Sequence, residues 1–292
     1  CTLVALWAFD LNINWWRLIS GLLFINSYHY SSFFPAELNG PLWSIGLEVS
    51  CYVLLPVLLF LIIKNTQKIS AAFAGIIGCI VVLQILNPLI INTFMLNNKS
   101  KGWQYGLTGG AKQWLPYWNI GSFFTQFLCG SLAALIIIVL RARGTLKSLT
   151  FDLSAVLFTT AGIWLVAIGL EPGAPNSFTK QPYMAPFFAI LMAGVIVSAS
   201  LSGQVYKLLD NKLFQWIAKI SFSIYLWHMF LIVIIERKFL PNYVYYGLTD
   251  LSEWVMISSI VLIGSIILAA TSWRFLESPI LKSARKLTTN RV

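Results

Sequence analysis

Long apolar runs separated by short polar stretches dominate the pattern of this chain. A helix needs about 20 consecutive apolar residues to cross the hydrocarbon core of a bilayer, which is about 30 Å thick. The pattern therefore predicts an all-α, polytopic transmembrane helix bundle with about eight full spanning helices. Residues 2–9 are apolar but too short to span, and we expect them to be the stump of a severed helix. The eight predicted spans are approximately 18–33, 42–64, 71–92, 119–140, 152–170, 183–202, 214–236 and 252–273.

Composition supports this interpretation. Hydrophobic residues make up 58% of the 292 residues, charged residues only 10%, and the mean hydropathy is +0.77. These values exceed what the core of a soluble domain requires. No repeat, low-complexity tract or long linker divides the sequence, so we expect a single membrane domain over residues 1–292.

The net charge of +10 would suggest nucleic-acid binding in a soluble protein. Here the basic residues lie in short connections between apolar runs, where they set orientation and contact anionic head groups. With the C-terminus in the cytoplasm, thirteen Lys and Arg residues fall inside and six outside, so we expect that orientation and no nucleic-acid partner. The outer loops would then be residues 34–41, 93–118, 171–182 and 237–251, whose aromatic residues are typical of a membrane interface.

Glu48 is the most informative residue, because it lies inside the apolar run 42–64. A carboxylate within a bilayer helix costs about 3 kcal/mol, so it is normally paired, protonated or directed at a cavity. Trp43 and Ser44 lie on the same side of the predicted helix, which would open a polar notch toward the outer loops. Glu48 is therefore a candidate catalytic residue, and plain structural pairing is the alternative.

His228 is the second candidate. Ser221, Tyr225 and His228 share one face of a predicted helix at spacings of four and three residues. Such a polar stripe lines a site, or it hydrogen-bonds one helix to another. Under the predicted orientation both Glu48 and His228 fall in the outer half of the membrane, where they could share one pocket.

The other ionisable or reactive residues have simpler explanations. His29 is expected at the interface, and Lys219 is expected to anchor its helix at the cytoplasmic head groups. Arg274 and Glu277 either pair with each other or leave Arg274 to bind an anionic cytoplasmic donor. The cysteines show no metal-ligand spacing, so we expect no metal site. Motifs for nucleotide-driven transport, metalloproteases and serine hydrolases are absent from the sequence.

Three segments together resemble the membrane acyltransferase-3 family, whose members O-acylate sugars of surface polysaccharides and related glycans. They are residues 42–48 (LWSIGLE), 220–228 (ISFSIYLWH) and 274–280 (RFLESPI), with a looser match at 123–133. The resemblance implies about ten helices, so the first helix and most of the second would be missing here. Those parts carry the family's membrane histidine and paired arginines, and we expect this chain to be catalytically incomplete without them.

The resemblance also implies the reaction. An acyl group, most often acetyl, would move from cytoplasmic acyl-CoA, a donor substrate rather than a bound cofactor, to a sugar hydroxyl on the outer face of a bacterial inner membrane. Glu48 would orient the missing histidine or hold the acceptor, a glycan or lipid-linked sugar. His228 and Tyr225 would line the same cavity. Trp43, Ser44 and Ser221 would contact substrate, and Arg274 would contact the donor.

Two alternatives stay open at this point. A transporter or flippase for a lipid-linked glycan would use Glu48 and His228 in a proton or substrate pathway, although no second half of the sequence echoes the first. A structural membrane subunit would leave Glu48 without a purpose. The sequence does not indicate the oligomeric state.

Overall fold

The computed structural model describes residues 14–29, 32–33, 42–66, 68–101, 118–144, 148–169, 186–239 and 251–289. These ranges are almost entirely helical, and their only strand-like pairing is an isolated bridge between Ser148 and Ser202. The helices, in chain order, are α1 Trp15–Leu22, α2 Leu42–Asn65, α3 Ile69–Lys101, α4 Ile120–Ala142, α5 Leu149–Gly169, α6 Pro186–Leu201, α7 Gln204–Leu209, α8 Lys212–Ile234, α9 Leu251–Ser272 and α10 Ser278–Thr289.

The predicted all-α membrane fold is confirmed. Six helices in the described ranges are long and apolar enough to cross a membrane, and they coincide with six of the eight predicted runs. Large apolar side chains such as Val53, Phe60 and Ile163 are exposed along them, as expected of surfaces that face lipid. The six candidate spans are Leu42–Lys64, Ile69–Leu89, Ile120–Ala142, Leu149–Ile168, Lys212–Ile234 and Leu251–Ala284.

The predicted span at 18–33 is wrong as a continuous helix. Helix α1 ends at Leu22, and after a turn only a short 3₁₀ segment, Asn26–Tyr28, follows. Asn26, Ser27 and Ser32 are buried, and their side chains donate hydrogen bonds to backbone carbonyls of this segment and of α2. Hydropathy alone counts these positions as part of an apolar run, whereas their hydrogen bonds hold a folded loop.

Two other boundaries differ from the prediction. The run 183–202 is represented by α6, which at 16 residues is shorter than the other spans. Helix α3 continues to Lys101, nine residues past its predicted end, since neither glycine nor proline interrupts residues 89–101. The stump at 2–9 and the aromatic residues of the predicted outer loops between 102 and 117 lie outside the described residues.

The chain divides into two compact units. We call residues Ser20–Phe33 and Trp43–Leu209 the N-terminal unit, and Cys1–Ile19, Phe34–Leu42 and Asp210–Val292 the C-terminal unit. In the N-terminal unit α4 packs on α3 and α6, and α5 packs on α6. Glycines permit the last contact: a Cβ atom at Gly194 would lie 2.8 Å from the ring of Phe158.

Asp152 connects α5 to α7 within the N-terminal unit. Its carboxylate accepts hydrogen bonds from the backbone N–H groups of Gly203, Gln204 and Val205, at 3.3, 2.9 and 3.0 Å. These donors belong to the first turn of α7 and its approach, which have no partners within the helix. The buried carboxylate of Asp152, on α5, therefore caps the N-terminus of α7.

In the C-terminal unit α8 and α9 pack against each other. A π-helical turn, Ile235–Phe239, follows α8, and a second, Trp273–Glu277, joins α9 to α10. Two contacts set the antiparallel register: Leu231 lies against Gly264, and the Ser223 and Ser272 hydroxyls are 3.4 Å apart. Ser223 lies eight residues before Leu231, and Ser272 lies eight residues after Gly264. The two helices therefore keep the same register over this length.

Candidate functional site

Glu48 lies in the second turn of α2 and is half-buried. The hydroxyl of Ser44, one turn earlier, donates a hydrogen bond to Glu48 Oε1 at 3.0 Å. This bond holds one carboxylate oxygen in place. The predicted association of Ser44 with Glu48 is therefore present in the structure, while the role of the pair in catalysis stays a prediction.

The loop that replaces the first predicted span supports the start of α2. Ser27 Oγ and Asn26 Nδ2 both donate to the carbonyl oxygen of Trp43, at 2.7 and 3.4 Å. The hydroxyl of Tyr28 donates to Ser50 Oγ at 2.7 Å. The loop thus contacts α2 on both sides of Glu48 in sequence, and it restricts how that part of the helix can move.

Gly46 allows the close approach of this loop. A Cβ atom at Gly46 would lie 2.5 Å from Asn26 Oδ1 and 2.9 Å from the carbonyl oxygen of Phe24. Phe24 itself has φ of 58°, in the left-handed region that non-glycine residues rarely adopt. Strained backbone of this kind is retained where surrounding contacts demand it, often near functional sites.

Aromatic rings surround the first turn of α2. Trp43 stacks with Phe33 and with Trp118, with ring centroids 5.4 and 4.3 Å away, and makes an edge contact with Phe123 on α4 at 5.3 Å. Further along α2, Tyr52 meets Phe127 at 5.4 Å. Glu48 lies between these two contacts along α2. Because Trp43 contacts three other rings, its observed contribution is to position this end of the helix.

His228 lies on α8 in the C-terminal unit and is half-buried. Its Nδ1 is 2.7 Å from the carbonyl oxygen of Tyr225, and its ring is 5.6 Å from the Tyr225 ring. A carbonyl oxygen can only accept, so Nδ1 carries the proton and the lone pair of a neutral imidazole lies on Nε2. The residue has the tautomer that a base acting through Nε2 requires.

His228 also lines a cavity between α8 and α9 with a volume of about 510 Å³, which we call the α8–α9 cavity. Most of its lining is aliphatic, and Glu236, Ser258 and Ser265 are its other polar residues. The hydroxyl of Ser265 is buried and has no hydrogen-bond partner among the residues that the structure describes. Ser258 and Ser265 were not among the predicted site residues, although their spacing of seven places them on one helix face and could have identified them.

The predicted stripe of Ser221, Tyr225 and His228 is only partly continuous. Ser221 is exposed, and its hydroxyl donates to the carbonyl oxygen of Ala218 at 3.0 Å. Neither Ser221 nor Tyr225 lines the α8–α9 cavity. Contact of these two residues with substrate stays a prediction.

Arg274 and Glu277 form no ion pair with each other in the described structure, which contradicts the pairing considered for them. Glu277 instead accepts hydrogen bonds from Ser223 of α8 and from Ser272 of α9, the latter at 3.2 Å. Arg274 is exposed, with its guanidinium over the ring of Phe275. The π-helical turn therefore directs the carboxylate toward the helices and leaves the cation at the surface.

Glu48 belongs to the N-terminal unit and His228 to the C-terminal unit, so their common pocket stays a prediction. His29 and Lys219 are exposed, and their interfacial roles also stay predictions. Among the residues that the structure describes, no group of three His, Cys, Asp or Glu side chains could hold a metal ion. Asn26 and Ser27 were missed as supports of the Glu48 region, since only tertiary contacts reveal them.

Comparison with known proteins gives a consistent result. A family model described as an acyltransferase domain matches residues 1–270. Curated relatives include proteins of Staphylococcus aureus strains COL and N315, each carrying the name "Putative O-acetyltransferase". Each is 24% identical over 283 residues, which cover 94% of this chain and 40% of the relative. The chain thus spans well under half of those relatives, and no solved structure matches it.

Proposed function

Because the chain belongs to the acyltransferase-3 family, we propose that it is the membrane part of an O-acyltransferase. The enzyme moves an acyl group from cytoplasmic acyl-CoA to a sugar hydroxyl of a surface polysaccharide or related glycan. The names of the relatives support O-acetyl transfer, and the donor and acceptor are those that the resemblance of the sequence motifs implies. It lies in a bacterial inner membrane with its C-terminus in the cytoplasm. The family match favours this enzyme over the transporter and the structural subunit.

The observation that carries the proposal is the Glu48 carboxylate held by Ser44 on a buttressed helix end. Transfer to a hydroxyl needs an acceptor for its proton and groups that hold the reactants in line. Glu48 Oε2 accepts a hydrogen bond from the acceptor sugar, or from the base that removes the proton of the sugar hydroxyl. The loop contacts at Trp43 keep this oxygen in place, so that little reorganisation is needed during the reaction.

His228 supplies a second proton acceptor. With Nδ1–H bonded to the Tyr225 carbonyl, Nε2 can take the proton of the attacking hydroxyl and return it to the leaving thiolate. In this step the hydroxyl oxygen bonds to the acyl carbon, and the carbon–sulfur bond of the thioester breaks.

Arg274 binds the donor. Its guanidinium is exposed on the π-helical turn and unpaired with Glu277, so it can form bidentate hydrogen bonds to phosphate groups of coenzyme A. The predicted orientation places this turn on the cytoplasmic side, where the donor is available. Glu277 positions Arg274 by holding the turn against Ser223 and Ser272.

The test uses the full-length protein in membranes supplied with radiolabelled acetyl-CoA. Glu48→Gln should abolish glycan labelling while expression stays normal, because an amide cannot accept a proton and its NH₂ group replaces an acceptor. Glu253→Gln, at an exposed carboxylate in the first turn of α9, is the matched control and should keep full activity. Retained labelling in Glu48→Gln would remove Glu48 from the mechanism, and glycan export without acyl-CoA dependence would favour a transporter.

A further inference from the structure

The α8–α9 cavity has two polar levels separated by an aliphatic wall. The contact of Leu231 with Gly264 places Ser265 and His228 within about 3 Å of each other along the helix axes, since each residue rises 1.5 Å. Glu236 and Ser258 form the other level, near the end of α8 and the start of α9. The aliphatic side chains between and around these levels are Ile224, Ile232, Ile235, Ile257, Val261 and Leu262.

The dimensions of the cavity follow from the same register. His228 and Glu236 are eight residues apart, which corresponds to about 12 Å along α8 and the start of its π-helical turn. The volume of about 510 Å³ is within the range of sites for small organic ligands. An acetyl group has only one methyl carbon beyond its carbonyl, so it would leave most of this space empty.

The aliphatic side chains that line the cavity determine which kind of ligand it can bind. A sugar would bury several hydroxyl groups against aliphatic side chains that offer no hydrogen bonds, which is unfavourable. A hydrocarbon chain needs no such partners. At the His228 level, however, the Ser265 hydroxyl is buried with no partner among the described residues. A rotation of this side chain into the cavity would let the hydroxyl donate to a carbonyl oxygen beside His228 Nε2.

We propose that the α8–α9 cavity is the acyl-chain subsite of the enzyme, built for an acyl group of medium length rather than acetyl alone. The thioester carbonyl lies between Ser265 and His228, and the aliphatic chain extends toward Glu236 and Trp254. An extended chain advances about 1.2 Å per bond, as the polypeptide backbone does, so the wall accommodates about eight to ten carbons. This inference rests on the O-acyltransferase function proposed above and specifies its donor.

The position of Arg274 agrees with this arrangement. Arg274 follows Ser265 by nine residues on the continuous helix of α9 and its π-helical turn, about 13 Å in the direction opposite to the aliphatic wall. Coenzyme A carries its phosphates at one end and the acyl group at the other, joined by a long flexible arm. Arg274, the Ser265–His228 level and the aliphatic wall therefore follow one another in the order of phosphate, thioester and chain.

The experiment measures acyl transfer and binding in the full-length protein with acetyl-, octanoyl- and decanoyl-CoA. We expect octanoyl-CoA to displace acetyl-CoA even when the octanoyl-CoA concentration is at least tenfold lower than that of acetyl-CoA. Val261→Phe, which fills the aliphatic wall, should remove this advantage and lower the ratio of octanoyl to acetyl transfer at least tenfold. Ile263→Phe, at an exposed position of the same helix, is the matched control and should change neither.

A binding readout separates this proposal from the proposed function. Octanoyl-CoA with a photoreactive diazirine at the chain end should label residues 254–262 in the wild type, and Val261→Phe should abolish that label. Acetyl transfer without octanoyl competition or labelling would overturn the acyl-chain subsite and leave the O-acyltransferase function intact. Labelling of residues 254–262 without transfer of any acyl group would support the subsite and contradict the function. Labelling confined to other segments would overturn the subsite.

Discussion

The Glu48 region and the α8–α9 cavity accommodate an ionisable residue in an apolar helix in opposite ways. Around Glu48 other groups pack closely on the helix: Ser44 bonds the carboxylate, a loop packs against Gly46, and aromatic rings stack with Trp43. Around His228 the helices leave a cavity, and one hydroxyl on its wall has no partner. The Glu48 region is therefore organised to hold a side chain in place, and the α8–α9 cavity to receive a bound group.

The largest expected effect is at Gly46. In Gly46→Ala the new Cβ atom would collide with Asn26 Oδ1 and the Phe24 carbonyl, so the free energy of unfolding should fall by about 3 kcal/mol. Acyl transfer should fall with it, because the loop would move away from α2. Gly130→Ala is the control: nothing lies within 4 Å of its Cβ, and stability should be unchanged or rise by up to about 1 kcal/mol. Thermal unfolding in detergent would measure both, and equal behaviour of the two variants would contradict a closely packed Glu48 region.

The next largest effect is at Ser44. Ser44→Ala removes the donor to a charged carboxylate, a hydrogen bond with a net contribution of about 1.5–3 kcal/mol, so activity should fall about 10- to 100-fold. Ser44→Thr keeps a hydroxyl and should restore most of the rate. Initial rates of glycan acylation would measure this. If alanine and threonine gave equal rates, Ser44 would have no part in orienting Glu48.

Ser265 should respond with the opposite sign. Ser265→Ala removes a buried hydroxyl without a partner, so the free energy of unfolding should rise by about 1 kcal/mol. The same substitution should weaken octanoyl-CoA binding, because the donor to the thioester carbonyl is lost. Thermal unfolding and competition assays on one preparation would show the two changes together. A loss of stability would mean that Ser265 is an ordinary structural contact.

The smallest expected effect is at Glu277. Glu277→Gln retains the size of the side chain but weakens its bonds to Ser223 and Ser272, so the π-helical turn should hold Arg274 less firmly. The KM for acyl-CoA should rise about three- to tenfold, the equivalent of about 1 kcal/mol, with little change in kcat. Steady-state kinetics at varied acyl-CoA would separate the two constants. A fall in kcat at constant KM would place Glu277 in the chemical step instead.

Sequence reasoning was most successful where one physical rule dominates. Six long helices follow from uninterrupted apolar length, and Glu48 and His228 stand out because ionisable residues are expensive in such helices. It was wrong at 18–33, where buried Asn26 and Ser27 form a loop instead of spanning. Of the two alternatives for Arg274 and Glu277, the structure contradicts the pairing, because a π-helical turn changes the directions that an α-helical spacing of three would give.

The sequence by itself determined the membrane class, the family motifs and the residues worth testing, since these depend on composition and local order along the chain. Only the tertiary structure decided that a loop buttresses the helix of Glu48, that Glu277 bonds to serines rather than to Arg274, and that Ser265 and His228 lie at one level of a cavity. The reason is physical: hydropathy and periodicity report one segment at a time, whereas hydrogen-bond partners and empty space depend on the register between helices distant in sequence.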